Sequence, residues 1–431
     1  STERAILIAD ENGRHWKQTP APPLEDNFLL RNLKASPADP NRWVIWRDQY
    51  RNEWNWQRFV SHDRGETWQA IRMETPEAFL PVNTRQGIFA WHPTDPDRLF
   101  SIGGDIVTSS RDGGKTLRWD NAGNHALLIG GKFAFNAQNP DLLFFGSQDY
   151  NGAATPNGGQ WFEYQNPSGN GWGGFTYGGY ALNAKTFAVG NAAGWGAPRK
   201  LTVTHDGGKT WRETGQTLAG ADSALGHPTQ PNIAFVANHR TADAGKSWAE
   251  MPECSGVLTS APDGSLFGVK SAGDTTRVVT SRDGGRTWKA LAEHRGEVRD
   301  LAYDPRRQRL YAVLNDEAAY LDNGAWRTLA TPRNQFGGAS IRTIAVDPAN
   351  PDWLYVGSAG NVYASCVSVA HSRDAGKSWR VLSLNQPLGP IGSPRKDGGR
   401  EALCIQVHPR TREAWVATSC YGIWKWVPNL K

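Results

Sequence analysis

Apolar residues in this chain come in short, strand-sized runs, broken by Gly, Pro, Asn or Asp every few positions. In LTVTHD and RVVTSRD the residues before the break alternate or are β-branched, which predicts a strand entering a hairpin. No amphipathic stretch of helical period is long enough to predict a helix. One pattern returns nine times: an apolar strand, a Pro-rich turn, then a second apolar strand. Its regular members are LKASPADPNRWVIW, FAWHPTDPDRLFSIG, FAFNAQNPDLLFFGS, LGHPTQPNIAFVAN, IAVDPANPDWLYVGS and IQVHPRTREAWVATS. YALNAKTFAVG, LTSAPDGSLFGVK and LAYDPRRQRLYAVL are looser versions. The turns begin near Ser36, His92, Asn136, Asn183, His227, Ala261, Asp304, Asp347 and His408, and their mean spacing of about 46 residues suits a four-stranded propeller blade.

A second signature, Ser/Thr-x-Asp-x-Gly-x-Thr/Ser-Trp, falls between these hairpins. It reads SHDRGETW from Ser61, THDGGKTW from Thr204, TADAGKSW from Thr241, SRDGGRTW from Ser281 and SRDAGKSW from Ser372; SRDGGKTL from Ser110 has Leu117 in the Trp place. Weaker forms are ADENGRHW near the start and LDNGAW from Leu321. The Asp carboxylate can accept N–H groups of its own turn, and the Gly takes a positive φ. The Trp then opens the next strand.

Together the signatures predict an all-β fold, a single β-propeller domain spanning residues 1–431 with nine four-stranded blades. The count is eight if the hairpin at Asn183 or Ala261 is an insertion. The N-terminal segment carries a box without a hairpin and the C-terminal segment a hairpin without a box, so the two ends are expected to share the closing blade.

Composition agrees: 47 Gly, 26 Pro and 20 Trp beside 2 Met favour short strands and tight turns. The net charge of +5 is scattered without a basic run, which makes no case for nucleic acid. No apolar stretch approaches the ~18 residues of a membrane span. Four cysteines are too few for a disulfide framework. Cys366 and Cys420 occupy equivalent places in the last two repeats, where a disulfide and two buried thiols remain equal alternatives. A chain starting at Ser1 fits a processed secreted protein or a trimmed one, so a secreted, cell-surface or periplasmic location is expected.

The octapeptide resembles the Asp-box (BNR) repeat family, and the resemblance extends over the whole chain. It implies a β-propeller with the boxes on the outer rim, between third and fourth strands. The box residues are then frame, not site. Members of that family include sialidases, xyloglucan-cleaving glycosidases, ten-bladed sortilin-type receptors and photosystem assembly factors, so the motif specifies fold more than function. The Phe/Tyr-Arg-Ile-Pro segment of sialidases is missing; the nearest place reads NFLLRNLKASP. HPTDPDRLF and DPANPDWLYVGS look like hairpins of the xyloglucanase type. Those enzymes carry catalytic carboxylates in the loop after the second strand, which here points to Asp105 in SIGGDIVTSS and Asp149 in FFGSQDYNG.

Loops between second and third strands gather on one propeller face, so substrate-binding residues are expected there. The first, WRDQYRNEWNWQR, offers Asp48, Tyr50, Arg51, Glu53, Trp54 and Trp56. The third is taken as the longest, running from Ser147 to about Gly179, with Tyr150, Trp161, Glu163, Trp172 and Tyr177. The fourth offers Trp195, and the ninth Tyr421 and Trp424, although GIWKWV also reads as a third strand. Flat aromatic rings on polar loops can stack on sugars. Asp105 and Asp149 would serve as an acid pair for glycoside cleavage, with Asp48 and Glu53 as alternative partners. Asp316 and Glu317 are placed on the far side of the ring.

Two functions follow. One is an extracellular glycan-active protein, a glycoside hydrolase if the carboxylates pair. The other is a non-catalytic binding propeller that takes a glycan or polypeptide in a wide axial channel. Polysaccharide or oligosaccharide is the expected partner, with a protein ligand as the alternative. No cofactor or metal is expected: there is no Gly-x-Ser-x-Gly, phosphate-loop or His-Glu-x-x-His segment, and His92, His227 and His408 recur as turn residues.

Overall fold

A computed structural model describes residues 5–23, 28–49, 52–73, 87–103, 106–120, 128–169, 174–194, 196–332, 339–359, 368–383, 401–419 and 422–428. It is all-β, with no helix among the described residues. Eight of the nine predicted hairpins form an antiparallel strand pair as read, while at the third FAF is no strand and Leu128–Ile129 pairs with Leu143–Asp149; the sheets are numbered here 1–9 in chain order. The chain divides into two compact units, Ser1–Ala126 and Leu127–Lys431.

The first unit opens with the hairpin Ile6–Ala9 and Trp16–Thr19. Sheet 1 follows as Phe28–Ala35, Trp43–Gln49, Asn52–Ser61 and Gln69–Ala70. Sheet 2 is Gly87–Trp91, Leu99–Gly103, Ile106–Ser110 and Thr116–Trp119, with Arg72–Met73 added in parallel to its last strand. Val44, Trp46 and Val60 of sheet 1 bury against Phe89, Leu99 and Leu117 of sheet 2.

The second unit holds sheets 3–9, whose first strands include Leu128–Ile129, Gly174–Ala181, Ala224–Gly226, Gly256–Ser260, Val298–Asp304, Ile341–Val346 and Ala402–Val407. Sheets 4–8 have four strands in sequential order; sheet 9 has three, ending with Ile423–Trp426. Seven apolar clusters join neighbours, from Phe144 with Phe187 between sheets 3 and 4 to Tyr355 with Ile405 between sheets 8 and 9. The seventh puts Cys404 and Trp415 of sheet 9 against Phe133, Phe135 and Phe145 of sheet 3. The seven sheets therefore close on one another.

This corrects the expected closure. The described strands at the two ends do not share a sheet: Ile6 packs with Leu30, Trp43 and Ile45 of sheet 1, while sheet 9 seals against sheet 3. The nine sheets are present, but the circle that closes within the second unit has seven members. Aromatic packing of Phe135 on Trp415, edge-on at 5.2 Å between centroids, does what a shared strand was expected to do.

All the repeated turns but the one at Ala261 share one device. Their leading residue accepts N–H groups two and three positions on, through Ser36 Oγ, Asn136 Oδ1, Asp304 Oδ1, Asp347 Oδ1, or the Nδ1 of His92, His227 and His408. The boxes behave as expected. In the first, Ser61 Oγ donates to Asp63 Oδ1 and accepts the Gly65 amide, while Thr67 donates to Asp63 through both amide and hydroxyl. An additional box, Thr155 to Trp161, uses Asn157 in the Asp place.

Candidate functional site

The face that carries the strand 2 to strand 3 turns is best described in sheet 3. Its second strand, Leu143–Asp149, turns through Tyr150 into Asn151–Thr155, with Asp149 and Asn151 both left-handed (φ 66° and 60°). Asp and Asn take that conformation readily in hairpin turns. Contacts with sheet 4 then fix this turn in place. Gln148 and Asp149 pair with Phe175 and Gly174, and Thr176 Oγ1 both accepts the Ser147 amide (2.9 Å) and donates to its carbonyl (3.2 Å). Asn151 Nδ2 donates to the Tyr164 hydroxyl at 2.9 Å. Gly146 lets the strands approach this closely, because a Cβ there would lie 2.7 Å from the Gly178 carbonyl oxygen.

Half-buried Asp149 shares its surroundings with Tyr177, on the first strand of sheet 4. Burial raises the Tyr177 hydroxyl pKa, the Asp149 charge adds to that, and Arg199 opposes it. The Arg199 guanidinium lies 6.0 Å from the Tyr177 ring centroid, donates to the Gly220 carbonyl at 3.0 Å and forms an ion pair with Asp222.

A second polar group surrounds the axis of the circle. Lys132, Gly179, Ser223, Val257, Asp300, Thr343 and Cys404 each stand four residues before a turn-leading residue, one on each of the seven sheets. Apart from half-buried Lys132, every one is buried. Lys132 Nζ meets Asp300 Oδ1 at 2.5 Å, and Asp300 Oδ2 accepts the Thr343 hydroxyl and the Ile344 amide. Lys132 of sheet 3 thus meets Asp300 of sheet 7 directly. Beside it Arg342 joins Asp316 at 2.8 Å and Glu401 at 2.9 Å, and burial raises the Glu401 pKa. Asp316, set aside on sequence grounds, thus belongs to a cluster on the second unit.

Several sequence-based sites change place. The expected third loop is mostly sheet: Trp161 belongs to the Asn157 box, at the opposite end of Asn151–Thr155 from Asp149, and Glu163 begins the fourth strand. Trp161 therefore leaves the candidate site; it missed recognition as box because it stands in the Ser/Thr place. Asp48 lies on Trp43–Gln49, and Glu53, Trp54 and Trp56 on Asn52–Ser61, where the backbone alone is described. Trp424 is half-buried on the third strand of sheet 9, paired with Val416. Asp105, Tyr50, Arg51, Trp172, Trp195, Tyr421, Cys366 and Cys420 lie outside the described residues. Of the remaining cysteines, Cys254 and Cys404 are buried free thiols. No group of three or more metal-ligating side chains occurs among the described residues. No described helix is long and apolar enough to cross a membrane.

Sequence reasoning missed Lys132, Asp300, Arg342, Glu401 and Arg199. The signal was a polar residue interrupting an apolar first strand, as in GGKFAF, VRDLAYD and IRTIAVD, visible once the repeats are aligned on their turns.

The BNR/Asp-box repeat family matches residues 59–70. No curated protein matches the sequence. Among solved structures, the GH74 xyloglucanase from Xanthomonas campestris is similar at TM-score 0.58 and 17% identity, over 99% of this chain and 63% of that one. An ancestral GH74 enzyme is similar at TM-score 0.57 and 11% identity, over 99% and 68% respectively. This chain thus spans less than two thirds of the xyloglucanase's length. Repeat chemistry, sheet order and these likenesses agree on the β-propeller fold, with a BNR/Asp-box repeat matched at residues 59–70.

Proposed function

We propose that this protein acts on or binds a polysaccharide outside the cell, with the ligand lying on the face of the second unit around Asp149. The observation that carries it is the grouping of Asp149, Tyr177 and Arg199 where sheets 3 and 4 pair. A carboxylate beside an aromatic ring and a guanidinium brings a candidate acid or base together with groups that can hold a sugar. Xyloglucan-type β-glucans are the first substrates to try, after the activity named for the Xanthomonas enzyme. Asp149 is the proposed acid or base, and Tyr177 the stacking platform.

Polysaccharides are screened for released reducing ends and, in parallel, for retention of the protein on the insoluble or immobilised glycan. Release that Asp149→Asn abolishes while binding persists supports the enzyme. Retention without release, reduced by Tyr177→Ala, leaves a binding propeller. No release and no retention on any glycan overturns the proposal.

A further inference from the structure

The circle of seven sheets has one joint with no chain connection across it, between sheets 9 and 3. The joints on either side of it are tied by polar bonds. Sheet 3 is laddered to sheet 4 through Gln148–Phe175 and Asp149–Gly174, and locked by Thr176 on Ser147. Sheet 9 is held to sheet 8 by the Ile405 amide on Thr343 Oγ1 at 3.1 Å and by the Glu401–Arg342 ion pair. Across the 9–3 joint no strand pairing occurs among the described residues, and sheet 9 stops at three described strands.

What closes the joint is side-chain contact, apolar and polar, and the Cys404 thiol donates to the Phe133 carbonyl at 3.5 Å. Phe133, Phe135, Phe145, Cys404 and Trp415 form its apolar filling. At the outer end Asp141 pairs with Arg410 and lies 3.7 Å from His408 Nε2, and Lys425 Nζ donates to the Gly158 carbonyl at 3.3 Å. At the inner end Lys132 of sheet 3 reaches past sheet 9 to Asp300 of sheet 7. Parting this joint frees the Phe133 and Gly158 carbonyls, which water can then reach, whereas parting sheets 3 and 4 would also break backbone ladder bonds. Of the two ion pairs across the joint, Lys132–Asp300 carries the larger cost to part, since its separation leaves a buried carboxylate without its cation.

We infer that the second unit opens and closes at the joint between sheets 9 and 3, with the Lys132–Asp300 ion pair as its latch. Opening exposes the axial layer and the Cys404 thiol, and moves Lys132 away from Arg342 and Glu401. Its occurrence does not depend on the polysaccharide proposal.

Cys404 is buried in this joint, and Cys254 is equally buried between sheets 5 and 6. In the full chain carrying Cys366→Ser and Cys420→Ser, labelling by a maleimide or an aromatic disulfide is followed residue by residue at pH 8 without denaturant. Cys404 is expected to react at least about tenfold faster than Cys254. Lys132→Met should speed Cys404 by a further ten-fold or so, leaving Cys254 unchanged, and Lys132→Arg should restore the slow rate. Equal rates for the two thiols would show that only global unfolding exposes them and would overturn the inference. That comparison needs no change at Lys132, so it stands even if the Met variant fails to fold. Faster labelling of Cys404 that Lys132→Met leaves unaltered would remove the latch.

Discussion

The hydroxyl of Thr343 donates to Oδ2 of Asp300 at 2.5 Å and accepts the Ile405 amide at 3.1 Å, so one buried oxygen joins the inner strands of sheets 7, 8 and 9. Valine has the same shape but satisfies neither partner. Thr343→Val is expected to cost about 2–4 kcal/mol in urea unfolding at pH 7, from an amide and a carboxylate oxygen each losing a bond. Thr343→Ser keeps the hydroxyl and should lose less than half of that. A valine variant as stable as the native protein contradicts the network.

Where histidine leads a turn, its Nδ1 must carry a lone pair. His227 accepts the amides of Thr229 and Gln230, both at 3.2 Å, and burial followed by the Arg240 charge lowers its pKa. A pKa below the unfolded value of about 6.5 gives stability that is full above that pH and is lost as pH falls through the folded value. Asparagine leads the equivalent turn at Asn136 without titrating. Thermal unfolding of His227→Asn should therefore show the native midpoint at pH 7.5 and a smaller decline on acidification.

His371 offers a stronger case of the same sign. Its ring stacks on Tyr355 at 4.6 Å, with Trp353 and Trp426 within 5.1 Å. Burial, then the charges of Arg373, Arg380 and Arg412, bring its pKa down to about 4. Its contribution is complete above about pH 6.5 and disappears as pH falls toward 4. His371→Phe should gain on the native protein progressively over that interval. Parallel denaturation curves at pH 7 and pH 4.5 decide it, and an unchanged difference refutes the buried neutral ring.

Gly146 sits where the second strand of sheet 3 runs under sheet 4. A methyl group there meets the carbonyls of Gly178 and Thr176, so Gly146→Ala should cost about 1–3 kcal/mol by overpacking. Because the same contact fixes the turn at Asp149, glycan retention should fall along with stability. Gly194→Ala, with nothing near its Cβ and no left-handed backbone, is the control for a Gly-to-Ala change without a clash.

Much of the frame was legible because its chemistry is local. A Ser, His, Asn or Asp capping two amides, and an Asp box closing on itself, act within a few residues, so a short window contains cause and effect. The candidate site was legible in part. Asp149 was found from its Gly-rich setting, but the long loop assigned around it dissolved into strands. Asp149 turns to Asn151 through the single residue Tyr150, and Asn157 hides a box behind an amide.

By itself, then, the sequence determined the all-β class, eight of the nine hairpins, the position of every clean box and the rank of the turn-leading residues. Tertiary structure alone decided that seven sheets close, that sheet 9 seals on sheet 3 and that Lys132 meets Asp300, 168 residues away. The physical reason is one of range. Turn geometry is set by neighbours along the chain, whereas closure depends on the packing angle accumulated over all the sheets, which no local window contains.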